Sequence, residues 1–186
     1  MLLLKAERVE NTVNEAIKTV MTRRSVRKFL EKPISKEDLT TIVDAARHAP
    51  SARNRQLWQF TVVQNAEVLA RLAKAVGTAL GDANYNFYRP NALIITSAER
   101  DFPFGTYDCA CALENMFITA HALGIGSVWI NQLQATCNDI FVRAILTEIG
   151  IPESHIAHGC AALGYAAAPS PERVVKPVEE TVKWVM

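Results

Sequence analysis

The stretch from Tyr107 to Leu123 constrains this chain most. It is long, apolar on most faces and rich in small residues. A helix apolar all round cannot face water, so it lies in a core or an interface. The rest of the chain must supply layers to cover it. With 186 residues and a hydrophobic fraction of 49%, there is enough apolar material for one compact domain and too much for a disordered chain.

The remaining pattern is mixed helix and strand. Val13, Ala16, Ile17, Val20 and Met21 recur at helical spacing, with Thr12 or Asn11 placed to cap the start. That helix should end near 22–24. Ser35-Lys-Glu-Asp is a loose capping box and opens a helix burying Leu39, Ile42, Val43 and Ala46. Pro50 stops it, because the residue before a proline avoids the α region. Residues 59–64 read as a strand, after which Asn65 caps a helix to about Val76. Residues 77–90 read as a long loop, and a loop of that length is often functional. Short strands follow at 92–96 and 127–130. Next come a helix at 138–149 closed by Gly150 and a Gly/Ala-rich strand at 156–165. The tail from Pro169 also carries Pro171 and Pro177, with too few apolar residues to pack alone. It is expected to wrap over another surface.

Charge narrows the partners. Lys and Arg total 20 against 19 Asp and Glu, so bulk basicity for nucleic-acid binding is absent. Residues 1–60 nevertheless hold 12 cations against 7 acids, and residues 61–186 hold 8 against 12. A basic first third in a near-neutral chain suits a discrete anion, such as a small phosphorylated ligand. The most apolar run, Met116 to Leu133, is broken by His121, Asn131, Gln132 and two glycines, which disfavours a membrane span of about 20 residues. The start lacks the apolar core of roughly 7–15 residues that a signal peptide needs. Four cysteines are too sparse for a disulfide scaffold. A cytoplasmic protein with reduced thiols is expected.

Three segments carry chemistry. Arg23-Arg24-Ser25-Val26-Arg27-Lys28 follows a helix with four cations and a hydroxyl. Guanidinium groups grip phosphate or carboxylate bidentately, although cations also simply favour a helix C-terminus. Ala49 to Trp58 joins a helix to a strand through Pro50, small residues and the amides Asn54 and Gln56. Amides offer both donors and acceptors to a ring edge. Gly124-Ile-Gly126 ends a helix and starts a strand, the wrong order for a dinucleotide fingerprint. A helix-capping glycine and a tight turn account for it equally well. Two rivals are weaker. His155, His158 and Cys160, or Cys109 and Cys111, include metal-ligand types, but neither set has a structural zinc spacing. A thiol hydrolase needs a Cys–His pairing that no signature supports.

In this order and at these distances, the three segments resemble the nitroreductase family of FMN-dependent flavoproteins. The late Ala162-Leu-Gly-Tyr165 and the following Lys176-Pro-Val-Glu-Glu180 extend the likeness along essentially the whole chain. The resemblance implies an α+β fold, with a central mixed and mostly antiparallel sheet flanked by helices. It implies a single domain over residues 1–186, in an intertwined homodimer whose C-terminal arm, about 169–186, packs on the partner. It implies FMN at the dimer interface. Arg23, Ser25 and Arg27 would hold phosphate, ribityl chain and ring edge, with Arg24 giving mainly backbone. Pro50, Ser51, Ala52 and Asn54 would come from the partner, supported by Gln56. Asn86 would meet the ring's pyrimidine edge, Asn131 and Gln132 would approach N5, and Lys176, or else Arg173, would complete the phosphate site. The implied activity is hydride transfer from NADPH or NADH to a nitroaromatic, quinone or flavin acceptor, by a ping-pong cycle without a catalytic side chain. The alternative is an FMN-binding protein of this fold without NAD(P)H turnover, or with a specialised reaction such as dehalogenation, flavin fragmentation or azoline oxidation.

Overall fold

Strand alternation sorts the apolar residues of this chain into two cores. The structure is a computed structural model that describes residues 14–171 and 173–186. In chain order its elements begin with α1 (Glu15–Thr22), α2 (Lys36–Arg47), β1 (Trp58–Val63), α3 (Ala66–Leu80) and β2 (Ala92–Glu99). They continue with α4 (Gly105–Ala122), β3 (Gly126–Ile130), α5 (Gln132–Thr136), α6 (Ile140–Glu148), β4 (His155–Gly164) and α7 (Val178–Thr181). The strands run in the order β1-β2-β4-β3, each antiparallel to its neighbour. The expected mixed sheet is thus wholly antiparallel among its strands, and the one parallel bridge among the described residues, Ser25 to Ser127, lies outside them.

Successive residues of a strand face opposite sides of the sheet. Leu93, Ile95, Cys160 and Ala162 therefore share one core with α3, α5 and α6. Ala92, Ile94, Ala161 and Leu163 share the other with α2 and α4. The result is a three-layer sandwich with β2 and β4 at its centre. Both of its helical layers need long apolar faces, and α4 has the longest. Cys109, Ala112, Leu113, Met116, Phe117 and Ala120 of α4 are buried, but Tyr107 is 68% exposed. The expectation of burial on most faces thus holds for part of the helix.

Local signals set most boundaries. Ser35 Oγ accepts from the Asp38 N–H at 3.0 Å, and Asn65 Oδ1 accepts from Glu67 and Val68. The first helix is capped by Asn14, whose Oδ1 takes the Ala16 N–H at 2.9 Å. The expected caps Asn11 and Thr12, with Val13, lie outside the described residues. The remaining apolar stripe of α1 is not buried: Ile17, Val20 and Met21 are 51%, 49% and 65% exposed. The third helix runs past Val76 to Leu80, because Gly77 packs inside it and Gly81, at φ +72°, ends it. The loop expected at 77–90 is accordingly shorter. The helix expected from residue 138 starts at Ile140, capped by Asp139, and short α5 precedes it.

Gly126 also departs from the expected turn. It is the first residue of β3, and a Cβ there would meet Val26 Cβ at 2.8 Å. Its reason is close packing of the basic segment across the sheet end, where Val26 N–H donates to Ser127 O at 2.8 Å. The tail does not pack on its own chain, as expected from its composition. Val174, Val175, Val178, Trp184, Val185 and Met186 are all exposed. No helix among the described residues is long and apolar enough to cross a membrane.

Gly126→Ala should destabilise the fold by about 1–3 kcal/mol, the usual cost of overpacking. Adding Val26→Ala should recover part of that loss, as read by urea unfolding of both variants.

Candidate functional site

The sequence-predicted residues fall into two groups at opposite ends of the sheet. One end gathers the starts of β2 and β3 and the finish of β4. The basic segment crosses it, tied by Val26 N–H to Ser127 O and by Leu30 N–H to Tyr165 O, both at 2.8 Å. The other end gathers the start of β1 and the finish of β3. Loop 50–56 and Asn131 with Gln132 lie there. Six residues of β1 at about 3.3 Å each separate the ends by roughly 20 Å.

At the first end the arginines behave differently. The Arg23 guanidinium sits 5.7 Å from the Phe117 ring centroid, and its Nε lies 3.5 Å from Glu114 Oε1. That geometry attracts charge but does not make a hydrogen bond, and Nε is buried without a partner. Arg24 Nη1 donates to Met21 O at 3.0 Å and Arg23 O at 2.9 Å, so it neutralises the C-terminus of α1. Arg27 lies 5.9 Å from the Tyr88 ring centroid. Ser25 is exposed and pairs by backbone with Ser127, whose own Oγ is buried and unpartnered. A cavity of about 460 Å³ opens beside them, lined by Thr22, Arg24, His121, Ser127 and Ser170 among others.

His121 closes that corner. Its Nε2 is 2.9 Å from Thr22 Oγ1, and the Thr22 hydroxyl already donates to Lys18 O at 2.7 Å. The histidine must therefore donate through Nε2. Burial holds its pKa below the ordinary value, and the nearby Arg23 and Arg24 charges push the same way.

The loop before β2 is strained. Phe87, Tyr88 and Arg89 all have positive φ, at 51°, 65° and 51°. Non-glycine residues held there cost about 1–3 kcal/mol each and cluster at functional sites. Asn86 braces this turn, since its Oδ1 accepts from Tyr88 N–H at 2.9 Å and its Nδ2 donates to Asn84 O at 3.1 Å. Its amide is thus held within the loop, with a second N–H and a second lone pair left on this exposed side chain for a ring edge.

At the second end, Arg53, Asn54 and Gln56 also have positive φ. Ser51 Oγ accepts from Gln56 N–H at 3.2 Å, and Gln56 Nε2 donates to Asn54 Oδ1 at 2.9 Å. Pro50, Asn54 and Gln56 are exposed, while Ser51 and Ala52 are half-buried. The loop is fastened to α4, where Asp108 Oδ1 accepts the Ala52 N–H at 3.0 Å. Asn131 and Gln132 are exposed where β3 meets α5, and Gln132 Oε1 accepts the Asn131 N–H at 3.1 Å. Lys176 and Arg173 stand exposed in the tail.

Sequence reasoning missed the polar groups of α4. Asp108 and Asn115 reach loop 50–56 and the end of α2, with Asn115 Nδ2 donating to Ala45 O at 2.9 Å. Glu114 and His121 reach the basic segment and α1. Each pair is seven residues apart, a spacing that returns to one helical face. Polar residues at that interval in an otherwise apolar helix were the legible signal.

The rival sites fit less well. His155 Nδ1 pairs with Ser97 Oγ and His158 Nδ1 with Thr106 Oγ1, both at 3.1 Å. No group of three His, Cys, Asp or Glu among the described residues is placed to hold a metal. Burial pushes the Cys109 thiol up to about 12 and raises Cys160 further, which disfavours the thiolate a nucleophile needs.

A phosphorylated planar ligand such as FMN does fit the residues present. Arg23 Nε and Ser127 Oγ are buried polar atoms awaiting a partner beside a basic segment. Trp129, on the open edge strand and 42% exposed, offers a flat apolar surface 5.9 Å from Phe117. The arrangement is that of an α+β protein with a basic segment laid beside an exposed sheet edge.

Comparison with known proteins identifies the group. The nitroreductase family model matches residues 20–87 and 78–165. A nitroreductase with bound FMN from Bacteroides fragilis is 39% identical, with a TM-score of 0.88 over 93% of this chain and 100% of that one. Another with bound FMN, from Desulfitobacterium hafniense, is 26% identical, with a TM-score of 0.83 over 93% and 99%. An Archaeoglobus fulgidus protein, named by inference as an NADH dehydrogenase/NAD(P)H nitroreductase, is 34% identical over 82% of this chain and 86% of its own. This chain belongs to the nitroreductase family.

His121, His155 and His158 are all held below the ordinary histidine value, mainly by burial. As pH falls through about 6.5, the unfolded chain takes up protons that the folded chain refuses, so stability drops. The melting temperature should be lower at pH 5.5 than at pH 7.5. His121→Asn should shrink that difference, as followed by circular dichroism.

Proposed function

We propose that this protein is an FMN-dependent oxidoreductase that takes hydride from NADPH or NADH and passes it to a nitroaromatic, quinone or flavin acceptor. The observation that carries this reading is the pair of buried unpartnered groups, Arg23 Nε and Ser127 Oγ, at the basic segment of a nitroreductase-family chain. Bound FMN would supply the hydride chemistry, alternating between donor and acceptor in a ping-pong cycle.

The chain's own residues do the holding. Arg23, Ser25 and Arg27 grip phosphate, ribityl chain and ring edge, with Arg24 fixing the backbone of the segment. Lys176 completes the phosphate charge. Arg27 sets a cation at the pyrimidine edge, which favours negative charge accumulating there. Pro50, Ser51, Ala52 and Asn54 flank the ring, Gln56 braces their loop, and Asn86, Asn131 and Gln132 close the ring's margins.

These groups occupy different flanks of α4, so one chain does not assemble them. Asp108 and Glu114, which serve the two groups, point about 120° apart around the helix. A homodimer unites the halves. The exposed apolar residues of α1 and of the tail suit such an interface, with the arm from about 169 to 186 lying over the partner. Four free cysteines accord with the cytoplasm.

One observation favours a second reading, an FMN-binding protein with a specialised reaction or without NAD(P)H turnover. Gln132 folds its side chain over the Asn131 N–H, a donor that a reacting ring would use.

Purified protein loaded with FMN should show a flavin spectrum that bleaches on anaerobic NADPH or NADH. A spectrum that persists with both donors moves the protein to the second reading, and refusal of FMN overturns both. Arg23→Ala should raise the Kd for FMN at least tenfold, matching about 1.5–3 kcal/mol for a hydrogen bond to a charged group. Light scattering should give a dimer mass, and removal of residues 170–186 should weaken it.

A further inference from the structure

We propose that Asp108 is a positioning residue for flavin binding, whose buried carboxylate holds loop 50–56 in the strained shape that the shared site requires. The proposal rests on the FMN reading above. Asp108 is 6% exposed, in the first turn of α4. A carboxylate in such a place is costly unless its oxygens are satisfied. Oδ1 accepts the Ala52 N–H at 3.0 Å, and Oδ2 is buried with no hydrogen-bond partner among the described residues. The helix N-terminus offsets part of the cost, because an acid there meets the positive end of the dipole. An apolar residue would pack at this position without that penalty. What the carboxylate adds is a grip on the loop.

The loop needs one. Arg53, Asn54 and Gln56 are held at φ of 54°, 52° and 51° without a glycine among them. Such residues persist only where the surroundings over-determine them. Within the loop, Asn54 N–H donates to Ser51 O and Arg55 N–H to Ala52 O, and the bonds from Gln56 to Ser51 Oγ and Asn54 Oδ1 lie exposed, where water competes for them. The Arg55 guanidinium over Phe102, at 5.3 Å, is a second exposed tie. Asp108 supplies the buried one. Asn115, seven residues along α4, holds Ala45 O, itself seven residues before Ala52. The two bonds fix the end of α2 and the loop against one face of α4, so the backbone between them cannot slide.

Three preparations test this: wild type, Asp108→Asn and Asp108→Ala. Asparagine keeps an acceptor for Ala52 N–H, whereas alanine removes it. The expected result is a Kd for FMN within about threefold of wild type for Asp108→Asn and at least tenfold weaker for Asp108→Ala. Trypsin cleavage after Arg53 and Arg55 should accelerate at least tenfold in Asp108→Ala, while cleavage after Arg71 and Arg143 stays unchanged. A role confined to stability would lower the melting temperature and speed cleavage at all four sites, leaving FMN affinity of the folded protein intact. That outcome overturns the proposal. Should the alanine variant not fold, hydrogen exchange on wild type decides. A slow Ala52 amide within a fast-exchanging loop supports the grip, and a fast one overturns it. A wild-type protein that binds no FMN refutes the functional reading, and the protease arm then reports loop anchoring separately.

Discussion

The packing of α4 between one face of the sheet and α2 is the constraint on which the rest of the structure depends. Its apolar residues cover one face of β2 and β4, and its small side chains let the backbone come close. Gly105, for example, lies where a Cβ would sit 3.0 Å from Ala98 Cβ. A helix so placed has one well-packed position against the sheet. The few polar groups it carries then act as fixed points. Glu114 and His121 fix the basic segment on one flank, and Asp108 and Asn115 fix loop 50–56 on the other. Both loops take their position from a single buried rod.

Local strain is concentrated where α4 and the sheet end. Among the described residues, the six non-glycine residues with positive φ fall in two loops, 53–56 and 87–89. Each loop has its own amide brace, Gln56 with Asn54 in one and Asn86 with the Tyr88 backbone in the other. The regular elements contain ordinary geometry, so the unfavourable conformations are confined to segments that the family resemblance marks for ligand contact. Preorganised loops of this kind lower the ordering cost of binding.

Much of the architecture was legible in the sequence, because periodicity and caps are local properties. Ser35 and Asn65 cap the helices they were expected to cap, and strands 58–63, 92–99 and 126–130 lie within a few residues of their expected bounds. Errors arose where tertiary packing overrides local preference. Gly77 reads as a breaker but sits in a helix, since Asp82 O passes 2.6 Å from where its Cβ would be. Gly126 reads as a turn but serves Val26 across the sheet end. The candidate site is suggested by residue type at Arg23, Ser25 and Arg27, which the structure lays across one end of the sheet. Its supports are not. Asp108, Glu114 and Asn115 act across more than 50 residues of sequence or on another element, and no local pattern reports such a partner.

The C-terminal tail has a consequence of another kind. Trp184 is 79% exposed and Val174 96%, with further valines between them. A lone chain therefore displays a greasy ribbon as well as an unfinished sheet edge, and such surface either finds its proper cover or recruits whatever is nearby. On the proposed homodimer, the fate of newly made chains turns on how soon two of them meet. Dilution, slow synthesis or an excess of chaperone would shift the yield of usable protein without altering a single contact inside the fold.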